Sequence, residues 1–136
     1  MISTTSEYAL RALVVLAGIG EGASMQAREL AHETQVPTSY LYKILATLRR
    51  AGILSGSRGS RGGYSFARNP SDMRLIDVVC LFEAVRPNET CLLSDSRLCD
   101  DKRPCGAHKH WQQVRKSYNE FLESRTIADL ATKDSA

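Results

Sequence analysis

The order of elements between Gln26 and Ala67 constrains this chain more than anything else in it: two short amphipathic helices, a proline turn between them, and a glycine-rich hairpin. The first helix spans about Gln26 to Glu33, with Ala27, Leu30 and Ala31 on its inner face. Gln35-Val36-Pro37-Thr38 is a turn, because proline disfavours helix before it and suits a helix start after it. The next helix runs from Thr38 to about Ala51, its apolar residues Leu41, Ile44, Leu45 and Leu48 spaced i, i+3, i+4, i+7. Gly52 follows as a left-handed cap. Two such helices predict a helix-turn-helix. Ile53 to Ser57 and Tyr64 to Ala67 then flank Arg58-Gly59-Ser60-Arg61-Gly62-Gly63, the pattern of a β-hairpin. A hairpin directly after a helix-turn-helix is a wing.

The flanking sequence completes the plan. Helical periodicity from about Ser6 to Gly18 (Tyr8, Leu10, Leu13, Val14, Leu16, Ala17) precedes the motif. After the break at Asn69-Pro70-Ser71, a helix from about Leu75 to Ala84 turns Ile76, Val79 and Phe82 or Val78 inward, with Cys80 as a core residue. A last long helix starts near Gly106 or Ala107 and runs to about Ser124. Its apolar stripe, Trp111, Val114, Tyr118, Phe121 and Leu122, is narrow, as in a helix paired between two chains. The predicted fold class is mainly α with a small β-hairpin: a winged helix-turn-helix plus a long C-terminal dimerisation helix. The predicted divisions are a DNA-binding domain over 1–70, a connecting helix and cysteine loop over 71–105, a dimerisation helix and C-terminal segment over 106–130, and a disordered tail over 131–136.

Charge distribution points to the partner. Net charge is only +3, yet no Asp or Glu occurs between Glu33 and Asp72, a stretch carrying Lys43, Arg49, Arg50, Arg58, Arg61 and Arg68. An acid-free basic segment repels itself unless it faces solvent or a polyanion; on a winged helix the polyanion is double-stranded DNA. In a helix-turn-helix the second helix presents its N-terminal residues to base edges. Thr38, Ser39, Tyr42 and Lys43 are the candidates for bases or phosphates, while Tyr40 reads as core packing. Arg49 and Arg50, at the far end, suit phosphate or the helix dipole. Arg58 and Arg61, on the wing tip, suit phosphates or a narrow minor groove. The tip lacks the Gly-Lys-Ser/Thr ending of a P-loop and leads into a strand, which argues against a nucleotide site.

A second constellation follows. Cys91, Cys99, Cys105 and His108 lie within eighteen residues, in a loop rich in Asp, Lys and Arg that offers no core to bury them. The spacing, Cys-x7-Cys-x5-Cys-x2-His, lacks the close cysteine pairs of structural zinc and suits a larger object such as an iron–sulfur cluster. His108 is either a nitrogen ligand or a surface helix residue. No apolar run reaches the ~18 residues of a membrane span, and Arg11 interrupts the best stretch, Ala9 to Ile19. With no secretion signal visible, a cytoplasmic chain with reduced thiols is expected, not a disulfide framework.

These residues together resemble the Rrf-two family of bacterial winged-helix regulators, the group of the IscR, NsrR and RirA sensors. The resemblance runs from about Ser6 to Leu130. It is carried by Tyr8-Ala9-Leu10-Arg11, Leu30-Ala31, Pro37-Thr38-Ser39-Tyr40-Leu41, Lys43-Ile44-Leu45, Leu48 to Leu54, Arg58-Gly59, Gly62-Gly63-Tyr64, Leu75-Ile76-Asp77-Val78 and the three cysteines. It implies a homodimer joined through the long C-terminal helix, a pseudo-palindromic operator, and a cluster on Cys91, Cys99 and Cys105. Cys105-Gly106-Ala107-His108 is similar to the IscR arrangement, in which a histidine completes a 2Fe–2S site. The longer first gap is more like members that hold 4Fe–4S. Some relatives take a carboxylate from the first helix of the partner chain, and Glu7 occupies the comparable place. Where IscR carries a glutamate in its recognition helix this chain has Tyr42, so operator preference does not transfer.

The expected function is a transcriptional regulator, in the repressor sense, sensing iron, nitric oxide or redox state through an iron–sulfur cluster. The alternative in the same class senses oxidation through bare thiols. A storage module for metal without DNA function is opposed by the acid-free stretch. No nucleophile–base pair, P-loop or paired carboxylates speak for an enzyme.

Overall fold

Ser3 opens the first helix: its hydroxyl accepts the Ser6 N–H at 3.1 Å, satisfying a donor that the helix cannot pair internally. In the computed structural model, which describes residues 2–56, 62–84, 86–98 and 100–132, this helix (α1) is Thr4–Gly18. It buries Ala9, Ala12, Leu13 and Leu16. The two alanines present so little bulk that helices close in on α1 from several sides, making it the hub of the core.

The helix-turn-helix is α2 (Ala27–Thr34) and α3 (Thr38–Arg50). Gln35 ends α2 in the left-handed region, φ 56, a conformation that costs a non-glycine residue about 1 kcal/mol or more. Thr34 Oγ1 donates to the Leu30 carbonyl at 2.6 Å, and the Arg11 guanidinium of α1 donates to the Thr34 carbonyl at 3.0 Å, so α1 holds the turn from outside. The expected stripe Leu41, Ile44, Leu45 and Leu48 is buried, and each such side chain contributes roughly 1.5–3 kcal/mol. Gly52 takes φ 76 just past α3, as a left-handed stop requires.

The wing pairs β1 (Leu54–Gly56) with β2 (Tyr64–Phe66) antiparallel, Leu54 opposite Phe66 and Gly56 opposite Tyr64. Met25, just before α2, adds a rung: its N–H donates to the Tyr64 carbonyl at 3.0 Å and its carbonyl accepts the Tyr64 N–H at 2.8 Å. Gly63 makes this approach possible, since a Cβ there would lie 2.9 Å from the Met25 carbonyl oxygen. The wing tip, with Arg58 and Arg61, lies outside the described residues.

Beyond the wing, a 3₁₀ turn (Pro70–Asp72) is capped by Asn69 and leads to α4 (Leu75–Val79). This helix is shorter than its periodicity predicts. Turns continue past Val79, so Cys80 leaves the core expected for it and is exposed, while Leu75, Val78 and Val79 face inward. A second 3₁₀ turn (Pro87–Glu89) precedes β3 (Thr90–Cys91) and β4 (Ser94–Leu98), an irregular hairpin where the sequence reads as loop. The long helix α5 (His108–Ser124) follows within two residues of its expected start.

A further short helix, α6 (Ile127–Ala131), lies where periodicity showed none. Thr126 and Asp129 form a capping box, the Asp129 N–H donating to Thr126 Oγ1 at 3.2 Å and the Thr126 N–H to Asp129 Oδ2 at 2.8 Å. Leu75 N–H to the Arg125 carbonyl and Ile127 N–H to the Met73 carbonyl, both 2.9 Å, staple α6 beside α4, and α6 packs on α1. Residues 133–136, most of the expected disordered tail, lie outside the described residues.

Candidate functional site

Two groups of candidate residues occupy opposite parts of the chain. The first is the outer face of α3. Thr38, Ser39, Tyr42 and Lys43 are exposed there because Leu41, Ile44 and Leu45, interleaved with them, are held in the core. The first turn of α3 carries no acidic residue, so no side chain of that turn opposes the positive end of its dipole. Arg49 and Arg50 are exposed at the other end, and Arg50 donates to Thr47 Oγ1 at 3.3 Å.

Tyr40 corrects its sequence reading. It is 53% exposed, with its ring edge-on to Tyr8 of α1 at 6.2 Å between centroids. The helix-turn-helix turns this position outward, and the ring finds a partner on the surface. Arg11, whose guanidinium carbon lies 5.5 Å from the Tyr8 ring centre, also pairs with Glu7 at 2.8 Å. Glu7, expected as a carboxylate ligand offered to a partner chain, is thus engaged on its own helix, where it is exposed.

The second group is the cysteine segment. Cys91 closes β3 and Cys105 precedes α5; both are half-buried free thiols. The Pro87–Glu89 turn packs on α5, which carries the start of the hairpin to the flank of that helix. The Cys105 carbonyl accepts the His108 N–H at 3.0 Å, fixing one turn between these two residues. The His108 side chain is only 13% exposed, and its Nε2 lies 3.0 Å from Asp101 Oδ1. Gln112 Nε2 donates to the same oxygen at 3.1 Å. A carboxylate on one ring nitrogen is how ligating histidines are commonly oriented. Cys99 lies outside the described residues. Among the described residues no three His, Cys, Asp or Glu side chains converge on one point. The donor types present, two accessible thiols and an oriented imidazole, fit an iron–sulfur centre in their chemistry.

Several partners here carry no local sequence signal. Asp101 looks like any solvated acid until His108 folds back beside it. Glu83 Oε1 accepts the Ser3 N–H at 2.7 Å and the Ser6 hydroxyl at 2.5 Å, across 80 and 77 positions of chain. Tyr118 of α5 lies near enough for the Glu83 charge to join burial, the larger cause, in pushing its phenol up.

An exposed reading helix, a wing tied through Met25 to the start of α2 and an acid-free basic stretch of sequence define a winged-helix, DNA-binding transcriptional regulator. The chain belongs to the Rrf2 (Rrf-two) family, described as iron-dependent transcriptional regulators, whose match covers residues 2–133. An Aquifex aeolicus protein named as an HTH-type transcriptional regulator is 30% identical, over 96% of this chain and 90% of its own length. A Synechocystis protein of the same description is 32% identical, over 95% and 86%. Among solved structures, CymR of B. subtilis, titled a global cysteine regulator, superposes with TM-score 0.78 at 25% identity, covering 96% of this chain and 95% of that one. IscR of T. potens superposes with TM-score 0.74 at 26% identity, covering 100% and 91%. The relatives are regulators, and this chain stands with them as a regulator and not an enzyme. No helix among the described residues is long and apolar enough to cross a membrane.

Proposed function

We propose that this chain is a cytoplasmic, homodimeric regulator, acting as a repressor, whose affinity for a pseudo-palindromic operator is set by an iron–sulfur cluster of 2Fe–2S or 4Fe–4S type. Cys91, Cys99 and Cys105 hold it, with His108 or Glu7 of a second copy as the remaining ligand. One observation carries the reading: a half-buried thiol at Cys91 in the hairpin and another at Cys105 beyond it, with the His108 imidazole oriented by Asp101 one turn after Cys105. Such a cluster supplies a centre that reacts with nitric oxide and oxidants and is lost when iron is scarce.

The chain's own residues do the rest. Thr38, Ser39, Tyr42 and Lys43 meet the major groove; Arg49 and Arg50 meet phosphates, and Arg58 and Arg61 meet phosphates or the minor groove. Val114 and Phe121, seven residues apart on α5 and 47% and 45% exposed, form a seam for pairing two copies. Two reading heads then sit about one DNA turn (~34 Å) apart, and a small rotation at the seam misregisters both. The divisions at 70, 105 and 130 separate reading head, cysteine segment and pairing helix.

A second reading, regulation through bare thiols, is favoured by the same free thiols at Cys91 and Cys105. Partial burial pushes the Cys80 thiol up despite the opposing pull of Arg86, which makes it a poor thiolate. Anaerobic purification with iron and sulfide analysis separates the two readings. The cluster reading expects brown protein, and loss of visible absorbance in Cys91→Ser, Cys99→Ser and Cys105→Ser. Iron-free protein after anaerobic reconstitution, with a disulfide among these cysteines on oxidation, supports the second reading instead.

A further inference from the structure

Glu83 lies just past α4, eight residues before Cys91, and its carboxylate reaches back to the start of α1. Oε1 accepts the Ser3 N–H at 2.7 Å and the Ser6 hydroxyl at 2.5 Å. Ser6 has no exposed surface, so its hydroxyl has no water to turn to if the carboxylate leaves. Ser3 is itself the N-cap of α1, which makes Glu83 the clamp on a clamp. A hydrogen bond to a charged group is roughly twice as strong as a neutral one.

Both ends of this contact lead somewhere. From Ser6, α1 runs as a stiff rod to Tyr8, edge-on to Tyr40 of the reading helix, and to Arg11, bonded to the Thr34 carbonyl at the helix-turn-helix turn. From Glu83, the chain runs through the Pro87–Glu89 turn, packed on α5, into the hairpin that bears Cys91. On that side the Glu83 charge is felt at Tyr118 of α5. The carboxylate therefore joins the cysteine-bearing segment to the helix that orients Tyr40 and the turn.

We propose that Glu83, through Ser3 and Ser6, is the positioning residue that couples the cysteine segment to the DNA-reading helices. The inference rests on the chain being a DNA-binding regulator and does not need the cluster. Coupling is reciprocal: if the cysteine segment governs DNA affinity, DNA must alter the cysteine segment.

The test therefore uses cluster-free protein. In the full chain carrying Cys80→Ser, alkylation of Cys91 and Cys105 by iodoacetamide is followed by peptide mass spectrometry. It is measured with and without a duplex recovered by this protein from a random-sequence pool. The expected result is a change on DNA binding of about fivefold or more in the alkylation rate of the parent, the low end of typical coupling. Glu83→Ala and Ser6→Ala should bring the two rates together while DNA is still bound. Glu83→Gln, which keeps an accepting oxygen, should restore much of the difference; a merely structural loss would not follow that pattern. Ser6→Ala, the smaller change, decides the matter if Glu83→Ala does not fold. A DNA effect undiminished in Ser6→Ala or Glu83→Ala, or absent from the parent, overturns the proposal.

Discussion

Tyr8 meets Tyr40 edge to face, ring planes 84° apart and centroids 6.2 Å apart, so the first helix braces the start of the reading helix from the solvent side. Such pairs are worth about 0.5–1.5 kcal/mol beyond their burial. Tyr8 is partly buried against the core, whereas Tyr40 is 53% exposed and α3 is already held by Leu41, Ile44, Leu45 and Leu48. Tyr8→Ala should therefore weaken operator binding by roughly 2- to 10-fold and lower the melting temperature by a few degrees. Fluorescence anisotropy on a labelled duplex, beside a thermal melt, checks this; equal affinity with lowered stability is the contrary outcome.

Gly63 is where the wing touches the strand-like residue before α2. A methyl group there meets the Met25 carbonyl oxygen at 2.9 Å, and backbone cannot swing away as a side chain can. Gly63→Ala should break the paired hydrogen bonds between Met25 and Tyr64 at a cost of about 1–2 kcal/mol. Urea denaturation should show the loss, and hydrogen exchange should show it concentrated at the Met25 and Tyr64 amides. Unchanged protection at both amides contradicts it.

Lys43 and Tyr42 are neighbours on the exposed face of α3 with different chemistry. If Lys43 neutralises a phosphate, Lys43→Ala lowers affinity about evenly across sequences and reduces the salt slope of log K by about one. Tyr42→Ala should relax the preference at one base position by roughly 1–3 kcal/mol and leave the salt slope alone. Titrations over a range of salt, on selected and scrambled duplexes, distinguish the two; identical effects from both substitutions count against the assignment.

The capping box of α6 has a pH signature. Hydrogen bonds from the Thr126 backbone, then from its side chain, hold the Asp129 carboxyl below its ordinary 3.8. A depressed folded value means stability that is present above the unfolded value and lost as pH falls through the folded one. Asp129→Asn should thus melt below the parent at neutral pH, and the two curves should converge as pH falls through the depressed value. Thr126→Ala should cost about 1 kcal/mol as a lost N-cap. A gap in melting temperature that stays constant down to acid pH refutes the carboxylate's part.

The helix-turn-helix was legible because its signals are local. Leu41 to Leu48 repeat at helical spacing, Pro37 starts α3, and Gly52 stops it with φ 76; each acts within a few residues of itself. Cys80 was not legible, because periodicity continues past Val79 while the chain turns away, and no neighbour in sequence marks that exit. Tyr40 looked like core for a similar reason: an aromatic side chain can be braced as well from outside as from within. Helix α6 has five residues, too few for a period, and depends on staples to Met73 and Arg125. The candidate metal ligands were legible by type and spacing, but the Asp101–His108 pair was not.

Sequence by itself determined the kinds of helix, their order, the basic reading surface and the thiols held away from a core. These follow from side-chain periodicity, turn chemistry and charge, which act over short stretches of chain. Tertiary structure alone decided that Glu83 meets Ser6 across 77 positions, that Arg11 holds the turn at Thr34, and that Asp101 orients His108. Such contacts depend on where elements lie after packing, and a linear pattern carries no measure of distance between residues far apart along it.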